Sequence, residues 1–126
     1  MTIADRPLLA MPVRYALCMS RKDYRRTIKA FQLRDPGDKW VTPNKAATVH
    51  IWDRAESGGP SAIVCMRKPK NVAISQIVGL LAHEGVHIWQ VVRADMGESQ
   101  PSSEFEAYAI QNIVQELIEI YTEEIG

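Results

Sequence analysis

A long helical pattern in the second half of the chain constrains the fold most strongly. From about Val72 to Met96, apolar residues recur at intervals of three and four, the spacing of an amphipathic α-helix. Asn71 is placed to cap its beginning, and Gly97 to end it. On a helical wheel the apolar stripe contains Ile74, Ile77, Val78, Leu81, Gly85, Ile88 and Val92. We therefore predict a long helix that buries one face against a core.

The N-terminal third predicts an irregular lead-in followed by a helix. The first dozen residues contain two prolines and are expected to be extended or irregular. Residues 21–33 predict an amphipathic helix, because Tyr24, Ile28 and Phe31 follow the i, i+4, i+7 spacing. Ser20 with Asp23 resembles a capping box at its start.

The remaining segments predict two strands and a final helix. The β-rich runs at residues 48–52 and 62–66 are joined by a glycine-rich loop, which predicts an antiparallel pair. A last helix is predicted from Ser103 to about Glu124, with Ser103 and Glu106 forming a second capping box. Because strands and helices are segregated along the chain, we expect an α+β fold, with all 126 residues in one domain.

The composition excludes several classes of protein. The formal net charge is zero, and no apolar run approaches the roughly 20 residues of a membrane span. We therefore expect no membrane partner and consider nucleic acid an unlikely one, although basic residues concentrate between Arg14 and Lys45. The first residues do not resemble a signal peptide. Cys18 and Cys65 lack CxxC spacing and are expected to be buried free thiols, which indicates a reducing, cytoplasmic location.

Two histidines lie four residues apart in the long helix. His83 and His87 enclose Glu84 in the sequence His-Glu-Gly-Val-His, on the side opposite the apolar stripe. Two imidazoles at this spacing can bind one zinc ion, at about 2.0–2.1 Å from each nitrogen. Glu84 lies about 100° around the helix, where it can take a proton from a zinc-bound water molecule. The motif therefore predicts a zinc centre with Glu84 as the general base.

The last helix offers two candidates for the third zinc ligand. Zinc in hydrolases usually takes three protein ligands and keeps one position for water. Glu104 lies opposite the apolar stripe of its helix, as the histidines do on theirs, and is the preferred candidate. Glu106 falls within that stripe, where either a metal or the capping box would account for it.

HExxH followed by a second helix with Glu-x-x-Ala resembles the gluzincin zinc peptidases. The matching residues are 83–87 and 104–107, and the wider runs resemble small metallopeptidases encoded by phages and prophages. The resemblance covers roughly residues 48–125 and implies a minimal zincin (mini-gluzincin) core. That core has a basic N-terminal helix, a short antiparallel sheet, an HExxH helix and a glutamate helix. The resemblance implies Glu104 as third ligand, while the longer motif separation of some aminopeptidase relatives implies Glu106.

Tyr108 departs from the family pattern, because several gluzincin groups carry Asp or Asn directly after the alanine. A tyrosine there can hydrogen-bond a ligand or stabilise an oxyanion, and Tyr108 shares the face of Glu104, so we predict a catalytic role for it. Tyr15, Tyr121 and His50 are further candidate donors, with a purely structural role preferred for His50. Residues 48–52 are a candidate edge strand for binding an extended peptide.

The sequence therefore predicts a hydrolase, a zinc-dependent metallopeptidase acting on a peptide or protein substrate. Its location would be the host cytoplasm if a phage encodes it. The first alternative is a zinc-binding protein that is inactive or depends on a partner, with the metal as a structural tie. The second is a binding module that uses the basic helix over residues 21–34 on nucleic acid or an acidic partner. No sequence feature assigns an oligomeric state.

Overall fold

The fold is a mixed β-sheet with helices on both of its faces. The structure is a computed structural model that describes residues 2–4, 13–37, 39–53, 56, 58–97 and 100–125. Within these ranges there are four strands, β1 Thr2–Ala4, β2 Arg14–Cys18, β3 Ala47–Trp52 and β4 Ser61–Met66. The helices there are α1 Arg21–Ala30, α2 Ile74–Met96 and α3 Ser103–Ile125. The predicted α+β class is confirmed.

The sheet has the strand order β1-β2-β4-β3. The predicted antiparallel pairing of β3 with β4 is confirmed, with Thr48 opposite Cys65. The sequence did not predict β2, which lies parallel to β4, nor β1, which pairs antiparallel with β2. Residues 2–4 are extended, as predicted, although the sequence did not indicate that they pair as a strand, and residues 5–12 lie outside the described part of the chain.

Alternate side chains of the two inner strands, β2 and β4, enter different layers. Tyr15 and Leu17 of β2 pack with α2 and α3, whereas Ala16 and Cys18 pack with α1 on the other face. Every residue of β4 is buried, as expected for a strand covered on both sides. Cys18 and Cys65 are both buried and free, as predicted.

The first helix begins where the sequence predicts and ends earlier. The Ser20 side chain accepts a hydrogen bond from the Asp23 backbone N–H at 3.1 Å, which confirms the cap. The helix ends at Ala30, not at residue 33, because Gln32 adopts a left-handed conformation with φ of 56°. Backbone hydrogen bonds from Gln32 to Lys29 and from Leu33 to Ile28 then close the helix end.

The two long helices match their predicted extents closely, with different caps. Gly97 ends α2 with φ of 73°, as predicted, but the cap at its start is Ala73, not Asn71. At the start of α3 the Ser102 side chain accepts the Phe105 N–H at 3.2 Å, so the predicted capping box of Ser103 with Glu106 is wrong. No helix in the described ranges is long and apolar enough to span a bilayer.

Candidate metal centre

The HExxH segment places two imidazole nitrogens at the separation that one zinc ion requires. His83 Nε2 and His87 Nε2 are 3.2 Å apart, and their rings meet edge to face. Tetrahedral coordination with Zn–N bonds of about 2.0–2.1 Å puts two ligand nitrogens roughly 3.3–3.4 Å apart. His83 is exposed and His87 half-buried, so the pair is open to solvent. The two side chains therefore fit two ligand positions of one zinc ion.

Gln90 contacts the second ring nitrogen of His87. The Gln90 Oε1 atom lies 3.2 Å from His87 Nδ1, and a carbonyl oxygen can only accept a hydrogen bond. The proton of a neutral His87 ring is therefore on Nδ1, which leaves the Nε2 lone pair directed toward His83. Ligand histidines in metal sites are commonly held in this way through their second nitrogen.

Glu84 is buried beside the histidine pair. It is 5% exposed, and no group in the described ranges donates a hydrogen bond to its carboxylate. Burial raises the pKa of Glu84 above its ordinary value, because the charged form loses hydration, while His83 and His87 lower it. A buried carboxylate next to two imidazoles is suited to accept a proton.

The contact with α3 is made by the opposite side of α2. A Cβ atom on Gly85 would lie 2.7 Å from Val114 Cγ2, so the two helices approach closely there. Trp89 Nε1 donates a hydrogen bond to Glu106 Oε2 at 2.7 Å. Gly85 and Trp89 each follow a histidine by two residues, which is about 200° around the helix. The histidines therefore lie on the side of α2 that faces away from α3.

The third predicted ligand is not brought to the histidines. Glu104 is exposed in the first turn of α3, and Tyr108, one turn later, is 62% exposed. Glu106 interacts with α2 through Trp89, and its carboxylate lies 3.9 Å from Arg93. No group of three or more His, Cys, Asp or Glu side chains is close enough to hold a metal ion within the described residues. Two of the three predicted ligands are therefore together.

The other candidate oxyanion donors have structural contacts elsewhere. His50 Nε2 lies 2.9 Å from the Trp40 carbonyl oxygen, and its ring stacks on Tyr24 on the α1 side of the sheet. The preferred structural role of His50 is thus supported. The Tyr15 hydroxyl donates to Glu116 at 3.0 Å, and Tyr121 belongs to α3 and is buried in the core.

Gln90 is the functional candidate to which the sequence prediction gave no role. The sequence did contain a signal for Gln90, because a residue three positions after His87 lies on the same helix face.

Comparisons with protein-family models, curated proteins and solved structures each find no match to this chain. The proposal that follows is therefore supported by the geometry of the chain's own residues.

Proposed function

We propose that the chain is a zinc-dependent metallopeptidase in which His83 and His87 bind the metal and Glu84 is the general base. The observation that carries the proposal is the 3.2 Å separation of the two Nε2 atoms beside a buried carboxylate. A hydrogen bond between the two imidazoles gives the same separation, so it is the buried carboxylate beside the pair that favours a shared metal. The mini-gluzincin core belongs to the same proposal, and the sheet with α2 on one face is compatible with it.

Glu104 is the proposed third ligand, as the resemblance implies. Glu106 is the weaker candidate, because its carboxylate is already used by Trp89 and Arg93. Binding through Glu104 requires the first turn of α3 to move toward the histidine side of α2. Tyr108 lies one turn after Glu104 on the same face, so the same movement would carry its hydroxyl toward the site.

The proposal gives each of these side chains a catalytic role. Bound zinc supplies Lewis acidity, which lowers the pKa of a water molecule and polarises a carbonyl group. Glu84 accepts the proton of the attacking water and passes it to the leaving amine, and its burial makes it a stronger base than an exposed carboxylate. Gln90 keeps His87 in the tautomer whose Nε2 can bind metal. Tyr108 is the proposed donor to the oxyanion.

Zinc content and cleavage, measured on the same variants, test the proposal. We expect one zinc per chain in the wild-type protein by mass spectrometry, and cleavage of at least some members of a mixed peptide library. Glu84→Gln should keep zinc and abolish cleavage, whereas His83→Ala should lose zinc. Glu104→Gln should lose zinc, and Glu106→Gln should keep it. A wild-type protein that takes up no zinc would contradict the proposal.

A zinc-binding protein without activity of its own is the second candidate. It is favoured by the position of Glu104, which the structure leaves apart from the histidine pair. In this case zinc would bind, no peptide would be cleaved by the wild type, and Glu84→Gln would change neither the zinc content nor the absence of cleavage. The two candidates therefore differ in the response to a single substitution.

A further inference from the structure

A cavity of about 450 Å³ lies at the beginning of α2, and its lining extends along the helix to Leu80. Its apolar wall includes Met66 and Ile77, which are buried, and Leu80, which is half-buried. Val72 extends this wall at the surface and is 43% exposed. Exposed apolar side chains around a cavity of this size are typical of a ligand site.

Three cations surround the apolar wall. Lys45, Arg67 and Lys68 line the cavity and are exposed, and no Asp or Glu lines it. Arg67 lies 5.8 Å from the centre of the Trp40 ring, whereas neither lysine has an ion-pair partner within the described residues. The chemistry that complements this cavity is an apolar group joined to carboxylates.

The cavity is within reach of the proposed cleavage point. Leu80 precedes His83 by three residues, so the two side chains are one turn apart on neighbouring sides of α2. The rise along the helix from Leu80 to Glu84 is about 6 Å, and an extended peptide advances about 3.3 Å per residue. A side chain in the cavity would thus belong to a residue about two or three positions from the bond beside the histidines.

We propose that this cavity selects the substrate, by binding a peptide segment in which an apolar side chain is followed by acidic residues. The apolar side chain occupies the space beside Ile77 and Leu80, and the carboxylates lie near Lys45 and Lys68. The statement that the bound peptide is a substrate rests on the proposed metallopeptidase function. The binding preference itself does not depend on cleavage.

Four fluorescein-labelled heptapeptides that differ only at three central positions test the binding preference. The three central residues are Leu-Glu-Glu, Leu-Gln-Gln, Leu-Lys-Lys or Ser-Glu-Glu. Binding is measured by fluorescence anisotropy with the Glu84→Gln protein, so that the peptides are not cleaved during the measurement. We expect Leu-Glu-Glu to bind about tenfold more tightly than Leu-Gln-Gln at low salt, with the difference reduced at high salt. Val72→Ser should weaken the preference for Leu over Ser about threefold.

Charge reversal provides the matched comparison. The pair Lys45→Glu and Lys68→Glu should change the preference from Leu-Glu-Glu to Leu-Lys-Lys. The pair Lys22→Glu and Lys29→Glu makes the same change in net charge on exposed positions of α1, across the sheet, and should leave the preference as it is. Equal affinity for all four peptides, or equal effects of both pairs, would overturn the inference.

Cleavage by the wild-type protein separates this inference from the proposed function. If the binding preference and its reversal are observed but no peptide is cleaved, the cavity stands as a peptide site and the peptidase proposal fails. If all four peptides are cleaved equally, the peptidase proposal stands and the cavity assignment fails. Dimerisation that the Lys45 and Lys68 reversal abolishes, without peptide binding, would assign the cavity to a second copy and also overturn the inference.

Discussion

Glu84 is a charged side chain in a position that packing alone would fill with an apolar one. It is 5% exposed on α2, close to Leu81 and Ile88, which are fully buried. Burial of a carboxylate without a hydrogen-bond donor destabilises a fold and raises the pKa of the group. Residues that destabilise the fold in this way are typical of functional sites. The position of Glu84 is therefore consistent with the proposed role as general base.

The Glu84→Gln substitution is expected to stabilise the metal-free protein. At pH 7 the buried carboxylate is replaced by a neutral amide of the same shape, so the free energy of unfolding should rise by on the order of 1 kcal/mol. The pKa of Glu84 is higher in the folded state than in the unfolded state. The free energy of unfolding of the wild type is therefore not reduced by Glu84 below the ordinary carboxyl pKa, and it falls as the pH increases and the buried carboxylate becomes charged. The difference between variant and wild type should therefore disappear near pH 3.

Urea denaturation at pH 3 and pH 7, in the presence of a chelator, measures this effect. Glu104→Gln is the matched control, because Glu104 is exposed and its neutralisation should change stability little. A Glu84→Gln protein that is less stable than the wild type at pH 7 would show that the carboxylate makes a stabilising interaction, contrary to the expectation.

The two buried thiols predict a loss of stability in alkali. Burial raises the pKa of Cys18 to about 11, and that of Cys65 further, whereas the thiols of the unfolded chain titrate near 9. Above pH 9 the unfolded chain releases its thiol protons while the folded protein keeps them. This favours the unfolded state, so the free energy of unfolding is highest below pH 9 and decreases above it. Between pH 8 and pH 10 we expect a loss of about 1 kcal/mol per thiol in the free energy of unfolding.

Urea denaturation across this pH range measures the loss, and the double variant Cys18→Ala with Cys65→Ala should lack it. If the wild type and the double variant show the same pH dependence, the thiols are not its source. Native-state labelling should agree, with both thiols reacting slowly at pH 8 until the protein is unfolded.

At the scale of the elements, the contact between α2 and α3 determines which side of α2 carries the histidine pair. Gly85 permits the close approach to Val114, and Trp89 joins Glu106 on the same side of α2. A larger residue at position 85 would push the helices apart or rotate them. The direction in which the histidines point is thus set by a glycine within their own motif.

Gly85→Ala should destabilise the protein, although alanine favours helices. The added methyl group would lie 2.7 Å from Val114 Cγ2, and overpacking of this kind costs about 1–3 kcal/mol. Gly79→Ala is the matched control in the same helix, because its Cβ would meet no atom within 4 Å. There we expect a gain of about 0.5–1 kcal/mol from helix propensity. Thermal and urea denaturation measure both, and equal gains for the two variants would contradict the predicted contact.

At the scale of the whole molecule, the sequence predicted the long helices and the β3–β4 pair but missed β1 and β2. The long helices show their 3.6-residue period directly in the sequence. Strand β2 is buried on both faces, so residues 15–18 are all apolar and show no alternation. Its parallel pairing with β4 also joins segments far apart in the chain.

For the candidate site, the spacing of the two histidines was predictable from local sequence, whereas the position of Glu104 was not. The separation of His83 and His87 follows from one helical turn and was predictable from five residues of sequence. The position of Glu104 depends on how α3 is rotated against α2, which the Gly85 contact decides. The wheel of α3 alone shows that Glu104 lies opposite the apolar stripe, but not which neighbour it then faces.

If the protein binds zinc as proposed, removal of the metal distinguishes a catalytic role from a structural one at the level of the whole fold. Apolar clusters cover both faces of the sheet, and α2 and α3 contact each other through Gly85 and Trp89, away from the histidines. The fold therefore does not need zinc to join its helices.

We expect a chelator to leave the far-ultraviolet circular dichroism spectrum unchanged. The chelator should lower Tm by only a few degrees. A ligand that binds only the folded state stabilises it by its binding free energy, and removal of the ligand takes away no more than that. His83→Ala should likewise remain folded. Unfolding by the chelator, together with an unfolded His83→Ala variant, would mean that zinc is a structural tie, as in proteins whose metal-binding free energy is their folding free energy.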